Sequence, residues 1–181
     1  MIQTGRIRQS VAPDAFGVEG DCSTDRAEGM VRRMCTPDHS CPAVGTVRAL
    51  WDLFEARDWP GARALLSDDL VVELPATGER FSSADAFVEF NAAYPEGWTI
   101  QVQRIACGGP SVTPGGDAAD LVISEVQVPQ QGAGLFAVAQ FAWVSGDRIV
   151  AAREFWVTCG GEEPPAWRAH LTERYDGRLA P

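Results

Sequence analysis

Lysine is missing from all 181 residues, and asparagine occurs once, at Asn91. The positive charge rests on arginine alone, a bias that fits high-GC coding better than any chemistry. Positive charge is also scarce: 15 basic residues face 25 acidic ones, for a formal net charge of −10. Nucleic-acid binders and proteins held on anionic membranes concentrate cations against phosphate, so neither partner is expected. No stretch approaches the roughly 18 to 20 apolar residues that a membrane-spanning helix needs. Arg6 and Arg8 are followed by no apolar core, so no secretory signal is expected and the cytoplasm is the expected location.

Cysteine and glycine exclude further classes. Cys22, Cys35, Cys41, Cys107 and Cys159 are odd in number and scattered, which is no disulfide framework and suits a reducing compartment. Cys35, His39 and Cys41 form a C-x3-H-x-C cluster with Cys22 upstream, but the spacing matches no standard zinc site, so no metal is expected. Gly108-Gly109 and Gly115-Gly116 lie between strand-like segments rather than between a strand and a helix, so no phosphate loop is present and no cofactor is expected.

What is present is a core. Apolar residues make up 45% of the chain and include six Trp. Residues 1–43 lack sustained periodicity and read as a disordered arm or as a mis-assigned start. A single domain is expected over residues 44–176, followed by a short tail, 177–181. Val47, Leu50, Trp51 and Phe54 fall at helical spacing, with Thr46 as a candidate cap. Asp58-Trp59-Pro60 opens a second short helix, Ser67-Asp68-Asp69 reads as a turn, and Leu70 to Leu74 is a short strand carrying Glu73. Ala76 to Arg80 reads as a loop. Ser82 or Ser83 caps a third helix with Phe87, Phe90, Asn91 and Tyr94 on one face. Four long strand-like stretches follow. The first, Trp98 to Cys107, breaks its alternation at Arg104-Ile105, which suggests a bulge, and Gly108 to Asp117 reads as a loop. Leu135 to Val144 and Arg148 to Thr158 form a hairpin about Ser145-Gly146-Asp147.

This order resembles the nuclear transport factor 2-like superfamily, and within it the SnoaL-like, polyketide cyclase-like branch. The resemblance rests on Val47-Arg48-Ala49-Leu50-Trp51-Asp52-Leu53-Phe54, on Asp58-Trp59-Pro60-Gly61-Ala62, on Leu65 to Glu73, and on Ser145 to Trp156. It implies an α+β fold: a cone-shaped barrel in which three N-terminal helices pack on a curved, mostly antiparallel sheet around one apolar pocket. Relatives on that fold include cyclases, isomerases, hydrolases and dehydratases, so the fold does not choose an activity. Three family patterns are missing here. Trp156 to Gly161 holds no acidic residue, the first helix offers Trp51 and Phe54 where ketosteroid isomerases use Tyr, and no Asp-Arg-Asp relay can be assembled.

Glu73, Glu125 and Glu154 sit inside apolar strands, where desolvation raises a carboxyl's proton affinity toward the range useful for acid–base work. Glu154 shares strand parity with Trp156, so the two face one side. Glu154 and Glu73 are therefore the catalytic candidates. Trp156, Glu125, Tyr94, Asn91, Trp51 and Phe54 are the ligand-binding candidates, with Glu125 facing either the pocket or the opposite side of its sheet. His170 is a weaker acid–base candidate in the tail. The expected function is binding of a small hydrophobic molecule, with or without cofactor-free cyclisation, isomerisation or hydration. The alternative is a non-catalytic ligand-binding or dimerisation module. A homodimer is expected because both faces of the Leu135 to Val144 strand are apolar apart from Gln140.

Overall fold

A computed structural model describes residues 41–178. The expected arm, apart from its last three residues, and the end of the tail lie outside the described residues. The expected capping of the first helix by Thr46 is not what forms. The helix, α1 (Pro42–Glu55), starts earlier, with Pro42 in its first turn and Cys41 at its N-cap. Proline suits that place because its fixed φ matches the helix and its missing N–H is not needed there. Val47, Leu50, Trp51 and Phe54 are buried along one stripe of α1, as their spacing predicts.

Asp58 caps α2 (Trp59–Ala64) by accepting from the Gly61 N–H at 2.9 Å. The next strand, β1 (Leu66–Leu74), runs straight out of this helix and absorbs the expected turn at Ser67-Asp68-Asp69. The pairing register jumps between Leu66 and Val71, so the two exposed aspartates sit in an irregularity of the strand. The expected loop after Pro75 contains a further short strand, β2 (Glu79–Phe81), which pairs back on β1. Ser83 caps α3 (Ala84–Ala93) through a bond from the Ala86 N–H at 3.2 Å.

Four long strands complete the fold: β3 (Gln101–Val112), β4 (Ala118–Gln130), β5 (Gly134–Ser145) and β6 (Arg148–Thr158). β3 continues through the glycines that read as a loop. Gly109, at φ +81°, takes up a register shift of the kind that lets an extra residue bulge without ending the strand. The strand order is β2-β1-β6-β5-β4-β3. Among the described strands only β1 and β6 run parallel. The sheet is curved, mixed and open at β2 and β3, so the architecture is α+β as expected, without closure into a full barrel.

Alternation along the strands divides two faces. Val122, Val126 and Val128 of β4, Val138, Ala142 and Val144 of β5, and Ala152 of β6 point inward and are buried. α1 crosses this inner face over β3 to β6, and α3 covers β1 and β2. Removing each large apolar side chain of α1 from water contributes about 1.5 to 3 kcal/mol, which fixes the helix on the sheet.

The expectation of reduced cysteines is not what the structure shows: Cys41 and Cys107 form a disulfide. The N-terminus of α1 lies against β3 and brings their Cα atoms within 6.2 Å, inside the range a disulfide spans. Cys159 is free, and Cys22, Cys35 and His39 lie outside the described residues.

Candidate functional site

Between the helices and the inner face of the sheet lies a cavity of about 230 Å³. Its walls come from α1 (Trp51, Phe54), α3 with the turn after it (Phe90, Asn91, Tyr94, Trp98), and the ends of β1, β4, β5 and β6 (Leu74, Val128, Phe136, Trp156). Seven of these are aromatic or indole rings, and no Arg or His among the described residues lines the space. Glu154 sits in this apolar setting at 3% exposure. Thr77 and Glu79 add a second polar element.

Glu154 is held from both sides. Gln140 Nε2 donates to its Oε1 at 2.9 Å, and Trp156 Nε1 donates to its Oε2 at 2.8 Å. Burial pushes the carboxyl's pKa up, and the two donated bonds partly offset that rise. No cation among the described residues stands beside it, so desolvation decides the direction. Behind Gln140 the polar contacts continue to Ser124 and Trp51, both buried.

The other polar groups of the wall are engaged as well. Tyr94 Oη donates to Gln130 Oε1 at 2.9 Å, and Asn91 Nδ2 donates to the Phe87 carbonyl at 2.8 Å. Trp98 is fixed from outside: the Arg57 guanidinium stacks over its ring at 3.4 Å and donates to its carbonyl at 2.8 Å. Arg57 reaches this position from a left-handed backbone, φ 59°, at the end of α1.

Of the residues singled out from sequence, Glu154, Trp156, Tyr94, Asn91, Trp51 and Phe54 all line the cavity. Glu73 and Glu125 do not. Glu73 turns to the outer face of β1, where Arg153 and Arg80 bond to it at 2.6 Å each and hold its carboxyl below the usual range. Glu125 lies opposite Arg104 on the same outer side, away from the buried Ser124 and Val126. His170 is exposed in a 3-10 turn, Ala166–Leu171. Trp98, Glu79, Ser124 and Gln140 were not anticipated. Ser124 and Gln140 carried one usable signal, as polar residues at inward positions of apolar strands.

Residues 47–152 match the family model of the SnoaL-like domain. The chain belongs to the SnoaL-like family. Its SnoaL-like fold is similar to a candidate ketosteroid isomerase from Kribbella flavida DSM 17836, at 27% identity and TM-score 0.59, over 72% of this chain and 87% of that one. It is also similar to an NTF2-like protein of unknown function from Burkholderia xenovorans LB400, at 18% identity and TM-score 0.54, over 72% and 93% of the two chains. A third similar structure is an NTF2-like protein of unknown function from Mesorhizobium loti, at 18% identity and TM-score 0.53, over 67% and 96%. No curated protein matches the SnoaL-like chain. No helix among the described residues is long and apolar enough to cross a membrane.

Proposed function

We propose that this domain binds a small hydrophobic molecule in the cavity and moves a proton on it without a cofactor, with Glu154 as the exchanging group. One observation carries the reading: a carboxyl buried among rings, free of any cation among the described residues, with an N–H donated to each oxygen. Desolvation strengthens it as a base, which is what removal of a weakly acidic proton requires. The similarity to a candidate isomerase supports the same class of chemistry.

The test starts from protein purified from its own host, with native mass spectrometry to identify any retained molecule. The aryl ketone 2-acetylnaphthalene serves as a defined probe of binding, by tryptophan fluorescence, and of α-hydrogen exchange in D2O, by NMR. Exchange by the wild type that is lost in Glu154→Gln supports the reading. Absence of a retained molecule, together with no quenching and no exchange, overturns it.

The outer face of the sheet favours an additional property, association of two copies. Ile123, Phe155 and Val157 are 37%, 40% and 58% exposed there, beside Phe141, whose ring centroid is 6.1 Å from that of Phe155. Contiguous exposed apolar surface of this kind is what a partner chain covers. In a reducing cytoplasm the Cys41–Cys107 pair is expected to be held as thiols, and thiol alkylation of the native protein measures that directly.

A further inference from the structure

Ser124 on β4, Gln140 on β5 and Glu154 on β6 are directly opposite one another across the sheet, in one row of the inner face. Trp51 of α1 sits at one end of this row. An indole nitrogen can only donate, so its hydrogen goes to Ser124 Oγ, at 3.1 Å. The hydroxyl hydrogen of Ser124 is then left for Gln140 Oε1, also at 3.1 Å. With its oxygen engaged, the amide turns Nε2 toward Glu154 Oε1 at 2.9 Å. Each hydrogen in the row points toward the carboxylate.

We propose that Trp51 and Ser124 are positioning residues that hold the Gln140 amide as a donor and thereby keep Glu154 a proton acceptor, a base rather than an acid in the resting site. This deepens the function proposed above and rests on Glu154 being its reacting group. The reverse arrangement shows why. A turned-over Gln140 would accept from a protonated Glu154 and donate to Ser124 Oγ. The Ser124 hydroxyl hydrogen would then lose its only acceptor among the described residues, at a side chain 1% exposed. Both forms make three bonds along the row, but the acid form leaves the buried Ser124 hydroxyl hydrogen unpaired, whereas the base form leaves no donor of the row without its acceptor.

The class of ligand follows. It is a hydrophobic molecule that gives up a proton, either a carbon acid beside a carbonyl or a hydroxyl. Its C–H or O–H bond breaks, the electron pair stays on the ligand, and the proton goes to a carboxylate lone pair that Gln140 and Trp156 leave unused.

The experiment is a pH titration of protein carrying carboxyl-13C glutamate, with the Glu154 resonance identified by its loss in Glu154→Gln. Ser124→Ala is expected to raise the Glu154 midpoint by about half to one pH unit, because the amide is freed to turn. Trp51→Phe keeps the Ser124 hydroxyl, which still needs Gln140 Oε1 as its acceptor, and is expected to shift the midpoint less. Ser124→Thr keeps a hydroxyl and is expected to keep the wild-type midpoint. The double variant is expected to shift no further than Ser124→Ala alone, because Trp51 acts on the row only through the Ser124 hydroxyl. A folded Ser124→Ala with an unmoved or lowered midpoint overturns the proposal, as does a Thr variant that behaves like Ala. Ser124 is absent from the cavity wall, so its pair of variants decides the matter even where Trp51→Phe fails to fold. The titration needs no ligand. A shifted midpoint in a protein without turnover sinks the proposed function and leaves the positioning role standing, and the opposite pair of results does the reverse.

Discussion

Replacing Glu154 by Gln is expected to remove a pH dependence from the stability of the domain. Burial raises the carboxyl's proton affinity in the folded state, and the bonds from Trp156 and Gln140 only partly offset the rise. Between the unfolded pKa and the raised folded one, the native protein holds a proton that the unfolded chain has released. The contribution of Glu154 is therefore complete below the unfolded value and is lost as pH rises through the folded one. Inside that window the loss is about 1.4 kcal/mol per pH unit. In Glu154→Gln, the new amide points a hydrogen at one of two existing donors, which costs roughly 1 to 3 kcal/mol at every pH and leaves the slope alone. The assay is urea unfolding followed by tryptophan fluorescence, in small steps from acid to mildly alkaline pH, for both proteins. Subtracting one stability curve from the other cancels the remaining titrating groups. The difference is expected to be flat, then to slope in favour of the variant as pH rises, then to flatten again. Parallel curves across the whole range would refute the reasoning.

Three other outcomes are expected. Cys41→Ser should destabilise the domain by about 4 kcal/mol on the chain-entropy model, since the bond joins positions 66 apart; urea unfolding with and without reductant checks this, and a negligible loss would show that the bond does not constrain the unfolded chain. Phe155→Arg should convert a dimer into a monomer in light scattering at micromolar concentration, and a wild-type monomer would dispose of the association itself. Glu73 has its pKa lowered by bonds from Arg153 and Arg80, so its contribution is present above the unfolded value and lost as pH falls through the depressed one. Glu73→Gln should accordingly cost roughly 0.2 to 1 kcal/mol at neutral pH and nothing in strong acid, by the same unfolding assay; a cost that persists in acid would count against the ion pair.

Much of the site was legible because helices and strands have fixed periods. The spacing of Val47, Leu50, Trp51 and Phe54 marks the buried stripe of α1, and strand parity puts Glu154 and Trp156 on one side. Parity could not say which side of the sheet Glu73 and Glu125 occupy, because both sides of these strands carry apolar residues. Register was the deeper gap. Ser124, Gln140 and Glu154 form one row only through the pairing of β4 with β5 and of β5 with β6, and nothing local to each residue encodes that. The disulfide was hidden for the same reason, since it joins elements distant in sequence. Gly108 and Gly109 misled because glycine signals a loop and a bulge alike, and β2 is only three residues long.

The single parallel pairing in the sheet also sets an order of events. β3 to β6 form a meander of neighbours that can assemble by short hairpin closures, whereas β1 joins β6 across a separation of 80 positions, from Glu73 to Arg153. α1 and the end of α3 bring Trp51, Phe54, Asn91 and Tyr94 to the cavity, and the last strand brings Glu154 and Trp156. The cavity therefore exists only once that longest loop has closed. An occupant acts on the finished fold alone: it slows unfolding in proportion to its concentration over its dissociation constant and leaves the rate of folding unchanged.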